Sequence, residues 1–125
     1  MSHLRNRTPK FDRQAIGKAA EQRAERWLQS KGLGVVARNY RCRGGEIDLI
    51  MRDGDVLVFV EVRYRSRKDY GGPIASVNAR KRQRLSIAAA RYLQDTAWSG
   101  PCRFDVVGIA SEEQPPDWIR DAFTV

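Results

Sequence analysis

Apolar residues recur along the chain with two different periods, and each period predicts one kind of element. Two stretches have the spacing of three and four residues that is typical of one helix face. Their members are Ile16, Ala20, Ala24, Trp27 and Leu28 in the first stretch and Leu85, Ala88, Ala89, Tyr92 and Leu93 in the second. We predict a first helix that starts at an Asp12 N-cap and ends before Gly32, and a second from about Asn78 to Asp95.

Five stretches have the apolar or alternating character of β-strands. They cover residues 35–40, 46–51, 56–62, 104–110 and 118–125, the last being a short terminal strand or an extension. The third is apolar almost throughout, which is typical of a central strand buried on both faces. The predicted order is therefore α-β-β-β-α-β-β, an α/β fold in which helices flank a mixed sheet. At 125 residues the chain fits a single domain, over residues 13–125, behind a flexible basic tail of residues 1–12.

The dipeptide Asp53-Gly54 lies between two of these strands and predicts a two-residue hairpin turn. That turn places Glu61 opposite Glu46 and Asp48 diagonally across from Glu61, all on one face of the sheet. Diagonal neighbours have α-carbons roughly 7–8 Å apart, so both carboxylates can reach one ion. The prediction depends on the register, because a slip of one residue moves one strand's side chains to the other face.

Acidic side chains on one face of an inner hairpin repel one another and resist ionisation when buried. A hard divalent cation offsets both effects, and Mg²⁺ typically binds one or two carboxylates together with water and phosphate oxygens. Glu46, Asp48 and Glu61 are therefore candidate ligands for Mg²⁺ or Mn²⁺. The alternative is structural: Glu46 forms an ion pair with Arg63, which follows on the same face, and Asp48 caps a turn.

Two more residues are placed to reach the same region. Glu21 borders the apolar face of the first helix. Lys81 lies one turn before Leu85, at the start of the second helix, where phosphate binding is favoured. Each also has an ordinary interpretation, Glu21 as a solvated glutamate and Lys81 as a lysine whose stem covers the core while its ammonium reaches water.

The chain carries 23 Lys and Arg against 15 Asp and Glu, a net charge of +8. The positive charge is concentrated in residues 1–13, 38–43 and 63–84. Segregated positive charge attracts polyanions, so we predict a nucleic-acid surface. Its candidate residues are Arg41, Arg43, Arg65, Arg67, Lys68, Lys81 and Arg84. The alternatives are a solvated face that only aids solubility and a basic surface for an acidic protein partner.

Other residue types exclude several classes of protein. His3 is the only histidine, which excludes a zinc site of the His/Cys type and any histidine-based catalytic triad. Cys42 and Cys102 match no metal-ligand spacing, and we expect two reduced thiols. No apolar stretch approaches the roughly 20 residues that span a membrane, and the charged N-terminus lacks the apolar segment of a secretory signal. We therefore expect a cytoplasmic protein with no membrane partner.

Several short motifs resemble the YraN family of uncharacterised bacterial proteins. They are Gly17…Glu21…Ala24…Trp27-Leu28, Gly45-Glu46-Ile47-Asp48-Leu49-Ile50, Phe59-Val60-Glu61-Val62-Arg63-Tyr64-Arg65, Tyr70-Gly71, Lys81, Phe104-Asp105, Trp118-Ile119 and Ala122-Phe123. The resemblance covers residues 14–124. That family is similar to archaeal Holliday-junction resolvases and to type II restriction enzymes. The resemblance therefore implies a restriction-endonuclease-like fold and a metal site of the PD-(D/E)xK kind.

Carried over to this chain, the resemblance gives Asp48 and Glu61 as the acids of that motif and Glu21 as the acid of the first helix. Arg63 stands where the motif usually has lysine. An arginine stays protonated at physiological pH and cannot act as a base, although it can still orient a phosphate. The catalytic set that the resemblance implies is Glu21, Asp48, Glu61 and Arg63.

Two functions are compatible with these residues. The first is a Mg²⁺-dependent nuclease-fold protein that acts on structured or branched nucleic acid, with DNA favoured over RNA. The second is a catalytically inactive nucleic-acid-binding protein that retains the same fold. The acid cluster favours the first and Arg63 favours the second. A homodimer is compatible with either, and one sequence does not determine the structure of the substrate.

Overall fold

The computed structural model describes residues 3–64, 77–111 and 113–124 of the chain. In these residues the elements follow in the order α1 (His3–Ser30), β1 (Gly34–Cys42), β2 (Gly45–Asp53), β3 (Val56–Tyr64), α2 (Ala79–Thr96), β4 (Cys102–Ile109) and β5 (Asp117–Phe123). This confirms the predicted order α-β-β-β-α-β-β and the α/β class.

The strands form one mixed sheet in the order β1-β2-β3-β4-β5. β3 and β4 run parallel, and the other neighbouring strands are antiparallel. A parallel pair needs a crossover connection, and α2 lies in the segment that joins β3 to β4. The architecture is consistent with the restriction-endonuclease-like fold that the resemblance implies.

Each face of the sheet is covered by one helix. On one face Ala24 of α1 packs in a cluster that includes Val60 of β3. On the other face Leu85 and Ala88 of α2 pack in a second cluster that includes Phe59 of β3. β3 therefore contributes to both clusters and is buried along most of its length, as predicted for a central strand. Neither described helix combines the length and the apolar character that crossing a membrane requires.

α1 begins earlier than predicted. It runs from His3, so Asp12 lies inside the helix and the predicted N-cap at that residue is wrong. Aspartate is favoured at an N-cap but is also tolerated inside a helix, so Asp12 by itself does not mark the start of one. Gly32, with a φ of +100°, follows the end of the helix as predicted. The division into a tail of residues 1–12 and a domain of residues 13–125 stays a prediction.

The pairing register of the β2–β3 hairpin differs from the predicted register by two residues, because the turn lies one residue further along the chain. Asp53 pairs with Val56, so the turn residues are Gly54 and Asp55 rather than Asp53 and Gly54. Gly54 has the left-handed conformation that such a turn requires, with a φ of +60°. Asp53 stays in the strand, where its carboxylate lies 3.0 Å from the guanidinium of Arg103. A shift of two residues preserves the face of a side chain but changes the residue opposite to it.

β1 and β2 both become irregular near their middle. Ile47 packs in the cluster against α2, whereas Leu49, two residues further along β2, packs in the cluster against α1. Residues two apart in a regular strand share a face, so the alternation breaks at Asp48. Asn39, which faces Asp48 from β1, has a left-handed φ of +48°, and regular pairing resumes on either side. Because of this irregularity, the side chains of Asn39 and Asp48 do not follow the regular alternation between the two faces of the sheet.

A buried carboxylate fastens β5 to β4. Asp105 is fully buried, and its oxygens accept hydrogen bonds from Arg103 Nε, Trp118 Nε1 and the backbone amide of Asp121, each at 2.9 Å. These donors satisfy the acceptor capacity that burial would otherwise leave unpaired. We interpret Asp105 as a structural residue, because all of these bonds hold elements of the fold together.

Candidate active site

Asp48 and Glu61 face each other at the point where β2 and β3 separate. The regular pairing of these strands ends at Leu49 and Val60, and the next step along the same register is Asp48 opposite Glu61. One oxygen of Asp48 accepts a hydrogen bond from the backbone amide of Val62 at 2.8 Å. A second hydrogen bond joins the carboxyl groups of Asp48 and Glu61. The structure therefore brings these two predicted site residues together.

The surroundings of this acid pair oppose its ionisation. Glu61 is only 9% exposed, and burial raises its pKa. Burial also raises the pKa of Asp48, to about 8, and the negative charge of Glu61 adds to that rise. The hydrogen bond from the Val62 amide acts in the opposite direction on Asp48. Burial and mutual repulsion therefore favour a state in which the two carboxyl groups share one proton.

A third acid, Glu21 on α1, acts on the pair through its charge. Glu21 is half-buried, and its negative charge contributes to the raised pKa of Asp48. Its Oε1 accepts a hydrogen bond from Nδ2 of Asn39 at 3.0 Å. Glu21 and Asn39 line a groove of about 480 Å³ between α1 and β1. The cationic side chains in that groove are Lys18, Arg26 and Arg38.

Two cationic side chains lie beside Glu61. Lys81 and Arg63 both favour the ionised form of Glu61 and so counteract the effect of burial on its pKa. Nη1 of Arg63 is 3.4 Å from Oε2 of Glu61. Lys81 comes from the first turn of α2, which begins where predicted, because the side chain of Asn78 accepts a hydrogen bond from the Lys81 amide at 3.0 Å. Residues of both helices and of two strands thus converge on the acid pair.

Glu46 lies with a different set of partners, contrary to the prediction. Its carboxylate is 3.6 Å from Nε of Arg41 on β1 and 3.5 Å from Nη2 of Arg84 on α2. The predicted register placed Glu46 opposite Glu61, and the shift of the hairpin removes that pairing. Gly45 also brings β2 into contact with α2, since a Cβ there would lie 2.4 Å from the carbonyl oxygen of Arg84. Glu46 therefore bridges two of the predicted nucleic-acid residues.

The remaining predicted nucleic-acid residues fall into two groups. Arg43 is exposed beside the tight connection between β1 and β2, next to the Arg41 pair. Arg65, Arg67 and Lys68 lie outside the described residues.

Comparison with known proteins places the chain in a family. A model of the uncharacterised protein family UPF0102 matches residues 20–109. The chain belongs to the UPF0102 family. This confirms the family that the sequence motifs indicated.

Individual UPF0102 proteins are similar to this chain over most of its length. One from Aeromonas hydrophila is 57% identical over 110 residues, which cover 86% of this chain and 83% of the relative. One from Nitrosococcus oceani is 53% identical over 113 residues, covering 87% and 91% of the two chains. A third, from Herminiimonas arsenicoxydans, is 48% identical over 114 residues, covering 91% and 90%.

The donor set of the UPF0102 acid pair can be compared with the needs of different metals. Within residues 3–64, 77–111 and 113–124, no three His, Cys, Asp or Glu side chains group closely enough to hold an ion by themselves. Asp48 and Glu61 supply two carboxylates. Mg²⁺ dehydrates reluctantly and is usually held by one or two carboxylates with several waters. The pair therefore fits Mg²⁺ better than a metal that requires three or four protein ligands.

Sequence reasoning missed Asn39 in this UPF0102 chain. Asparagine is depleted in strands, and it is one of the few residues that tolerate the left-handed conformation. An asparagine inside a predicted strand was therefore a signal for an irregular position. Its contact with Glu21 could not be read from that signal, because the two residues belong to different elements.

Proposed function

We propose that this UPF0102 protein is a Mg²⁺-dependent nuclease-fold protein that binds structured or branched nucleic acid and hydrolyses its phosphodiester bonds. One observation carries the proposal. Asp48 and Glu61, from neighbouring strands, face each other in a poorly solvated position beside Arg63 of the same sheet, and the charges of Glu21 and Lys81 act on them. We further propose that DNA is the preferred nucleic acid and that the protein acts in the cytoplasm.

The acid pair supports a functional role because it costs the fold stability. Two carboxyl groups that face each other away from water repel each other once both are ionised, and burial penalises each charge. A divalent cation relieves both effects by taking the place of the shared proton. Titratable groups with such perturbed surroundings cluster at functional sites.

In the proposed site each residue has a separate task. Asp48 and Glu61 would hold Mg²⁺, and Glu21 would add negative charge from the side of α1. A bound Mg²⁺ supplies an activated water and positive charge for the phosphodiester transition state. Arg63 forms an ion pair with Glu61, and its guanidinium would orient a phosphate. Lys81 adds a second positive charge beside Glu61.

Cationic side chains around Glu46 support nucleic acid as the substrate. Arg41 and Arg84, bridged by Glu46, and the exposed Arg43 form one group, which we call the outer basic cluster. Arginine binds phosphate well, because its planar guanidinium donates two parallel hydrogen bonds. Binding to duplex DNA should therefore weaken with salt, with a log–log slope of roughly −0.9 for each phosphate contacted.

Arg63 favours a second function. It stands at the position where the related nucleases usually have lysine, and an arginine cannot take a proton from water. A chain with this substitution could keep the fold and the basic surface, bind nucleic acid and leave it intact. The two functions differ in hydrolysis and agree in binding.

A cleavage assay on a four-way DNA junction distinguishes the two functions. The assay compares wild type, Arg63→Lys and Asp48→Asn, each with Mg²⁺ and with Mn²⁺. We expect metal-dependent cleavage by the wild type and by Arg63→Lys, and none by Asp48→Asn. Linear duplex, flap and single-stranded substrates, with an RNA copy of each, define the specificity. If all three proteins bind the junction and none cleaves any substrate, the nuclease proposal is wrong and the binding function replaces it.

A further inference from the structure

Glu46 lies between two arginines of the outer basic cluster that come from different elements. Arg41 faces Glu46 directly across the β1–β2 pairing, and Arg84 belongs to α2. At Gly45, α2 packs so closely on β2 that a Cβ would lie 2.8 Å from the backbone nitrogen of Ala88. The strand pairing and this close packing therefore fix the positions from which the three charged side chains extend.

Each of the two arginines contacts a different oxygen of Glu46. Nε of Arg41 is 3.6 Å from Oε2, and Nη2 of Arg84 is 3.5 Å from Oε1. A phosphodiester group also carries one negative charge, and its two free oxygens accept hydrogen bonds from guanidinium groups. The carboxylate of Glu46 therefore occupies the place between the two guanidiniums that a backbone phosphate would take.

These two ion pairs are loose and open to solvent. Their distances exceed the roughly 2.7–2.9 Å of a charge-assisted hydrogen bond, whereas Arg38 and Glu25 of the same fold form a close pair at 2.6 and 2.9 Å. The side chains of Arg41, Arg84 and Glu46 are 74%, 42% and 47% exposed. Exposed ion pairs contribute little to stability, so a phosphate from solution can replace the carboxylate at low cost.

We propose that Glu46 is an internal competitor for a nucleic-acid phosphate at Arg41 and Arg84. In the free protein its carboxylate pairs with both arginines, and it moves away when a backbone phosphate binds them. This exchange lowers the affinity for every phosphate backbone, so a ligand needs further contacts, such as those at the acid pair, to bind tightly. The inference rests on the nucleic-acid binding of the proposed function and deepens it.

The test measures binding of a short labelled DNA duplex by fluorescence anisotropy in EDTA, where hydrolysis does not interfere. Glu46→Gln removes the charge and keeps the length of the side chain. Asp95→Asn is the matched control, because it changes the net charge by the same amount and releases an arginine, Arg91, from an exposed ion pair at the opposite end of α2. Both changes are repeated in a protein that carries Arg41→Ala and Arg84→Ala.

We expect Glu46→Gln to bind the duplex about threefold to tenfold more tightly than wild type, within the range that two exposed ion pairs allow. Asp95→Asn should change the affinity by less than about twofold, because its arginine lies outside the outer basic cluster. In the protein that lacks Arg41 and Arg84, the gain from Glu46→Gln should fall to that of Asp95→Asn, since the competition needs both arginines.

Three results would overturn the inference and leave the nuclease proposal in place. The first is an equal gain from Glu46→Gln and Asp95→Asn, which would show an effect of net charge alone. The second is weaker binding by Glu46→Gln, which would mean that Glu46 organises the arginines for the phosphate. The third is a gain that persists without Arg41 and Arg84.

Poly-glutamate tests the chemistry of the ligand. If it displaces the duplex from wild type at an equal concentration of charges, the cluster fits an acidic protein and the phosphate assignment is wrong. If Glu46→Gln tightens binding as expected and no protein cleaves DNA with Mg²⁺, the competition at the cluster is supported and the proposed hydrolysis is wrong.

Discussion

Replacing Asp48 with asparagine should make the protein more stable while it weakens the proposed function. Asparagine has nearly the same shape as aspartate. Its Oδ1 can accept the hydrogen bond from the Val62 amide, now 2.8 Å long, and its Nδ2 can donate to Glu61 in place of the shared proton. The substitution therefore keeps the hydrogen bonds and removes one ionisable group from a place that opposes its charge.

The size of the effect follows from the pKa of Asp48, which rises from 3.8 to about 8 because of burial and the charge of Glu61. A raised pKa means that the folded protein binds this proton more tightly than the unfolded chain does. The stabilising effect of the proton is complete below about pH 4 and is lost as the pH rises toward 8. At about 1.4 kcal/mol per pH unit, the loss by pH 7 is roughly 4 kcal/mol. Hydration and relaxation of the site reduce it, so we expect a gain of about 2–4 kcal/mol for Asp48→Asn at pH 7.

Urea unfolding of wild type and Asp48→Asn, measured at intervals from pH 4 to pH 8, tests this prediction. The gain in the free energy of unfolding should be below about 1 kcal/mol at pH 4 and should increase steadily up to pH 7. Asp55→Asn, which changes an exposed carboxylate in the turn of the same hairpin, serves as the control and should run parallel to wild type.

Calorimetry on the same two proteins should show that Mg²⁺ affinity falls as stability rises. Such a trade-off between stability and function is common at sites that contain destabilising groups such as buried carboxylates. A gain that does not depend on pH, or a loss of stability at pH 7, would refute the description of Asp48 as a buried acid that resists ionisation. An unchanged Mg²⁺ affinity would remove Asp48 from the proposed metal site.

Two further predictions concern the fold around the site. Gly45→Ala should destabilise the protein by roughly 2–3 kcal/mol, because the new Cβ would lie 2.4 Å from the carbonyl oxygen of Arg84. Gly17→Ala, in an open part of α1, should instead stabilise the protein by roughly 0.5–1 kcal/mol. Equal shifts in melting temperature for Gly45→Ala and Gly17→Ala would contradict the close approach of Gly45 to Arg84. Asp105→Asn should cost roughly 2–4 kcal/mol in urea unfolding, since Asp105 is fully buried and bound to Arg103. The same change at the exposed Asp95 should have little effect, and a similar loss there would show that burial is not the cause.

The sequence by itself determined the order of the elements and the residue types of the site. Helical spacing of apolar residues, a continuous apolar strand and well-placed turn residues are local signals, and each predicts one element without reference to the others. The acids at positions 48 and 61 could be assigned to neighbouring strands, because a hairpin connects stretches that are adjacent in the chain. Local signals also placed Asn78 at the start of α2.

Only the tertiary structure decided which side chains meet. Asp53 stays in its strand and forms an ion pair with Arg103 on β4, and the turn lies one residue beyond its predicted position. In the observed register Glu46 no longer lies opposite Glu61, and its carboxylate pairs with cations of β1 and α2. The left-handed backbone of Asn39 and its bond to Glu21 depend on how α1 packs across an edge strand. Contacts between elements that are distant in the chain produce no repeating pattern in the sequence. These partners therefore depend on how the helices pack on the sheet.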